Sequence, residues 1–149
     1  MQFQKLSPIH TAHRSNHYAV LSSITIAIGL LLFGCGESKV SQCNRVVTVA
    51  NKTKTLVAPK DIAGFVPLAE NIDQIRTEVQ AISIQESKLK ELQVQLLSMY
   101  GDVSQALKAQ AKATESKDKS ASDKAKQELE TAAGKENDIV DRLNALCSK

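Results

Sequence analysis

Residues 67–115 read PLAENIDQIRTEVQAISIQESKLKELQVQLLSMYGDVSQALKAQAKATE, and the spacing of apolar residues in this stretch decides the fold. Leu68, Ile75, Ile82, Leu89, Leu96 and Val103 recur every seven residues. Ile72, Val79, Glu86, Gln93, Tyr100 and Leu107 fill the interleaved positions, so the stripe carries two polar interruptions, at Glu86 and Gln93. Apolar residues repeating every 3.5 positions keep one seam of a helix turned toward a partner. The pattern predicts a single long helix over 67–115, which at 1.5 Å per residue would be about 73 Å long. Leu92, Leu97 and Met99 widen the stripe just after the interruptions, which suggests contact with more than one element there. Gly101 costs a helix about 1 kcal/mol, too little to end it.

Working outward, Ala58 to Val66 holds Pro59 and Gly64 and reads as a loop, with Pro67 well placed for the first turn of the next helix. Before it, Val46, Val49 or Ala50, and Leu56 or Val57 fall at helical spacing over 42–57. The β-branched run Val46-Val47-Thr48-Val49 would suit a strand equally well. Nothing downstream reads as a strand to pair with it, so a helix is expected. On the other side, 112–123 is polar and low in complexity, and Ser116, Asp118, Ser120, Ser122 and Asp123 make it the best place for a reversal. The alternative is a polar helix running straight through. Ala125, Leu129, Ala132, Ile139, Leu143 and Leu146 restore the apolar spacing over 122–147, with Glu136 interrupting and Gly134 weakening it. The expected class is all-α: an elongated antiparallel helical hairpin, or coiled-coil-like bundle, of one long helix flanked by two shorter ones.

The start of the chain has a different character. Met1 to His17 carries Lys5 and Arg14 and no acidic residue, and Tyr18 to Phe33 is apolar except at Ser22, Ser23, Thr25 and Gly29. A positive start, a short apolar core and a small-residue cleavage site describe a secretory signal. The core is shorter than the roughly 20 residues a membrane span needs. It ends in Leu32-Phe33-Gly34-Cys35. This resembles the lipobox of bacterial lipoproteins, in which Leu, then Ala, Ser, Thr or Val, then Gly or Ala precede the cysteine; Phe33 departs from that pattern. The resemblance implies that the Cys35 thiol is diacylglycerylated and that residues 1–34 are then cut away as a signal peptide. Residues 35–41 become a lipidated tether and 42–149 a single helical domain. Acyl chains such as palmitate would hold it on the periplasmic or outer face of the cell envelope. His10, His13 and His17 lie before the cut and are lost with the leader.

Two cysteines remain, Cys43 and Cys147, and in an exported protein an even pair reads as a disulfide. Chain lengths support the pairing. The first and last helices would be about 24 Å and 39 Å long, together close to the length of the long one, along which they would lie end to end. The last helix would finish level with Leu89 to Leu92, and the first would start level with Ile82 to Ile84. A Cys43–Cys147 bond would then join them across the middle of the long helix. With Cys35 only eight residues from Cys43, the membrane would hold the rod near its middle and leave both ends free.

The chemistry on offer is sparse. Beyond Cys35 there is no histidine, which removes the usual general base and the commonest zinc ligand together. No Gly-rich phosphate loop or calcium loop occurs. The formal net charge of +3 owes two charges to Lys5 and Arg14, so the mature chain is near neutral and nucleic acid is not implied. Only Phe65 and Tyr100 supply aromatic rings beyond Cys35, and a small-molecule pocket is not implied either. Glu86, the one acid on the long seam, reads as a device for register. No enzyme, metal or cofactor is expected.

The expected function is a non-catalytic, membrane-anchored helical interaction module of the cell envelope. A single helical layer cannot bury its whole apolar stripe, so self-association or an envelope protein partner should cover Leu89, Leu92, Leu96, Leu97, Met99 and Tyr100. The alternative is a link between membrane and cell wall. Murein lipoproteins have a lipidated cysteine, a long heptad helix and a C-terminal lysine joined to peptidoglycan, and Lys149 resembles that lysine. The doubled-back pattern and the clasp at Cys147 depart from that family.

Overall fold

The computed structural model of the chain describes residues 37–148, and every regular element within that range is helical. Helix α1 (Lys39–Ala50) opens where the Ser38 side chain accepts a hydrogen bond from Ser41 N, and it tightens into a 3-10 segment over Asn51–Thr55. The helix expected over 42–57 therefore starts earlier, and Lys39 to Ser41, expected in the tether, are helical. A loop and a 3-10 turn (Ile62–Gly64) lead into α2 (Phe65–Gln80). After it come α3 (Ser87–Glu115), α4 (Lys119–Gly134) and α5 (Glu136–Cys147).

The single helix expected over 67–115 is broken between Gln80 and Ser87. Its two polar interruptions build the break. Glu86 is extended (φ −73°, ψ 119°), and its carboxylate caps α3 by accepting from Leu89 N. Gln93 donates through Nε2 to Val79 O at 2.7 Å and Ile82 O at 2.9 Å, tying α3 to the end of α2 and to the turn that follows it. The chain then doubles back. Ser104 Oγ donates to Ala69 O, Lys108 pairs with Asp73 at 2.6 Å, and the Arg76 guanidinium lies against Gly101, so α2 and α3 are antiparallel neighbours. The longest helix is α3, with 29 residues, about 43 Å.

The reversal expected within 112–123 falls at Ser116 to Asp118. Lys117 takes the left-handed conformation (φ 54°), and Asp118 caps α4 by accepting from Ala121 N at 3.0 Å. The returning chain runs antiparallel to α3 throughout. Gln110 meets Ser122, Asp102 meets Lys135, and Gln95 meets Arg142. Buried Ala106, Ala113, Ala125 and Ala132 give these helices small side chains, which let helix axes approach closely. The last helix, expected to be continuous over 122–147, bends at Lys135, next to Gly134 and Glu136.

α1 also departs from expectation. It does not lie end to end with the last helix. Arg45 reaches Ser83 O and Lys52 pairs with Glu78, so α1 runs antiparallel beside α2. Its other flank packs on α5, where Cys43 meets Cys147 and Ala50 and Thr53 approach Val140 and Glu136. All these helices contribute to one core, with Leu89, Leu96, Leu107, Leu143, Val46 and Val79 among its fully buried side chains.

Candidate functional site at the disulfide end

The disulfide and a buried polar clamp gather at one end of the molecule. Cys43 and Cys147 form a disulfide there, with their Cα atoms 5.7 Å apart and both residues buried. The pairing agrees with the sequence, and so do the levels at which the helices meet. The position does not. Because α2 folds back on α3, the meeting point is the end of the molecule and not the middle of a rod.

Beside the disulfide, buried Gln42 works as a two-sided clamp. Its Nε2 donates to Glu37 O at 2.7 Å, and its Oε1 accepts from Gln85 N at 2.7 Å and Glu86 N at 3.2 Å. The entry of the described chain is thereby fastened to the α2–α3 turn. Arg45 reinforces this by pairing with the Glu37 carboxylate and donating to Ser83 O at 2.9 Å. Ser41 Oγ also donates to Glu37. The Arg45–Glu37 pair is largely exposed and is worth at most about 1 kcal/mol. Leaving the buried bonds of Gln42 unmade would cost more, about 1–3 kcal/mol per orphaned group.

Most of the residues expected to form the interaction face lie in the core. Leu89, Leu92, Leu96, Met99 and Tyr100 are buried core residues, at most 4% exposed. The physical reason is the fold-back: α1, α2 and α5 cover the stripe that a single helical layer would have left bare. Leu97 alone is half-buried, lining an open groove between α2 and α3 with Asp73, Arg76 and Lys108. Cys35 and Lys149 lie outside the described residues.

One titratable pair stands apart, at the α4–α5 bend. Burial beside Tyr100 pushes the Glu136 carboxyl up to about 7, against the opposing pull of Lys54. Burial, and then the Glu136 charge, push the Tyr100 phenol well above its ordinary value. The crevice between these groups holds only about 10 Å³ of open space, too little for a ligand. Among the described residues no cluster of His, Cys, Asp or Glu is placed to hold a metal ion, and no helix is long and apolar enough to cross a membrane.

Sequence reasoning missed Gln42 and Arg45. A glutamine next to a cysteine on the apolar side of α1 was the only signal, and two of its three partners lie more than forty residues away. Compared with protein-family models, curated proteins and solved structures, the chain matches none.

Proposed function

We propose that this protein is a non-catalytic lipoprotein of the bacterial cell envelope, anchored through an acylated Cys35, which presents an antiparallel helical module to a protein partner or a second copy of itself. The observation that carries the reading is the run Tyr18 to Phe33 ending in Leu32-Phe33-Gly34-Cys35, two residues before a chain entry fastened by Gln42 and Arg45. A disulfide between buried cysteines fits an oxidising, exported setting. With the apolar stripe consumed by the core, the partner surface is the polar outside of the helices. Export with lipid attachment should give a mature chain beginning at Cys35, carrying acyl mass and found in the membrane fraction; Cys35→Ser should abolish both. Wild-type protein that is soluble and unacylated would refute the reading.

The wall-link alternative is weakened by placement. Cys147 is clasped at the tether end, so an attachment two residues beyond it would start from the same end as the lipid. A span between membrane and wall needs its two attachments at opposite ends.

A further inference from the structure

We infer that the disulfide end of the module sits directly on the bilayer surface, among anionic phospholipid headgroups, with the helices standing away from it. The inference rests on the acylation of Cys35 proposed above. Glu37 is held by Gln42, Arg45 and Ser41, so the chain leaves the module at a fixed point. Cys35 is two residues upstream, and an extended chain covers at most about 3.6 Å per residue. The acylated sulfur is therefore within roughly 10 Å of that point, about the width of one helix. A tether that short gives the module no room to stand clear of the headgroup layer.

The two ends of the molecule differ as this placement requires. The turn at the disulfide end, Ala81-Ile82-Ser83-Ile84-Gln85, carries no charge, and Val40 beside it is 37% exposed. Lys39 and Lys88 flank the turn, and neither forms an ion pair among the described residues. Glu37 is paired with Arg45, and the Glu86 carboxylate accepts from Leu89 N. Apolar and neutral groups rimmed by unpaired cations suit the interface of an anionic membrane. At the other end, the turn Glu115-Ser116-Lys117-Asp118-Lys119 is charged at four of five positions, and α3 carries it about 43 Å away into water.

The chain has no tryptophan, so single-tryptophan variants report position cleanly. Gln85→Trp and Val40→Trp mark two sides of the disulfide end, and Ser120→Trp marks the far end. Each full-length variant is matured in cells, checked by mass for acylation and disulfide, and reconstituted in phosphatidylcholine–phosphatidylglycerol vesicles with acyl chains brominated near the headgroup. The expected result is fluorescence quenched about two-fold in both Q85W and V40W, which lie within reach of the acyl boundary, and unquenched in S120W. Quenching of S120W as strong as that of Q85W would show a module lying flat and overturn the inference. Acylated protein that floats with the vesicles but is quenched at no position would also overturn it, while leaving the anchoring itself intact. Unacylated protein that does not float would sink both readings together.

Discussion

Glu136 interrupts the apolar stripe of the last helical segment because its carboxyl is wedged beside Tyr100. Burial raises its pKa from 4.5 to about 7, outweighing Lys54, so the folded protein holds this proton more tightly than the unfolded chain does. The stabilisation from protonating it is fully present below the unfolded value of 4.5 and is lost as pH rises through about 7. Asp73 works in the opposite sense. Burial pushes its carboxyl up, but the hydrogen bond from Lys108, the neighbouring Ser104 hydroxyl and the charges of Lys108 and Arg76 prevail and hold it below 3.8, so it withdraws stability only in acid. Comparing Glu136→Gln with wild type isolates the first effect. Urea midpoints of wild type should fall relative to the variant between about pH 4.5 and pH 7, leaving the variant the more stable above neutrality. A difference that stays constant across that range would contradict the buried-carboxyl explanation.

At the scale of elements, the helical class, the reversal near Lys117 and the apolar positions were legible, and the turn inside 67–115 was not. The apolar stripes of α2 and α3 stay in phase across it, since Ile75, Ile82 and Leu89 are seven residues apart and Ile82 lies half-buried in the turn itself. No glycine or proline marks residues 81–86. Glu86 and Gln93 were visible as interruptions, but their meaning depends on carbonyls and amides that only the fold-back supplies. The same blindness hid the fate of Leu89 and Met99, which are equally apolar whether a partner or the chain itself covers them. Glycines show how far local reading goes. Gly64 reads as a loop residue and Gly101 and Gly134 as weak points in helices, but the space around each is not legible: a methyl group at Gly134 meets nothing within 4 Å, and at Gly101 it meets Arg76 no closer than 3.5 Å. At Gly64 it would come within 2.5 Å of the Pro59 ring. Gly134→Ala and Gly101→Ala should each stabilise by about 0.5–1 kcal/mol through helix propensity. Gly64→Ala should destabilise by about 1–3 kcal/mol through overpacking. Thermal melts of the three variants test the set, and a stabilising Gly64→Ala would show that the loop is held otherwise.

For the molecule as a whole, the disulfide matters through what it closes. It links residues 104 apart and ties α1, the first described helix, to α5, the last. In the chain-entropy picture a loop of that size contributes about 4.7 kcal/mol by restricting the unfolded chain, and measured values for native disulfides run about 2–5 kcal/mol. That is a large share of the roughly 5–15 kcal/mol by which small domains are stable. Both cysteines are buried, so a mild reductant should leave the folded protein oxidised and act only when unfolding exposes the bond. Replacing both residues, Cys43→Ala with Cys147→Ala, should lower the denaturation midpoint by the same few kcal/mol while the far-ultraviolet helical signal persists below the transition, because α2, α3 and α4 keep their own contacts. The loss should fall unevenly. α1 depends on the bond together with Gln42 and its flanks on α2 and α5, so its backbone amides should exchange with deuterium well before those of α3 in the double variant, and together with them in the wild type. A double variant that melts with the wild type and protects α1 equally would mean that packing alone holds α1 in place. The bond would then be a consequence of the fold and no part of what fixes α1 to it.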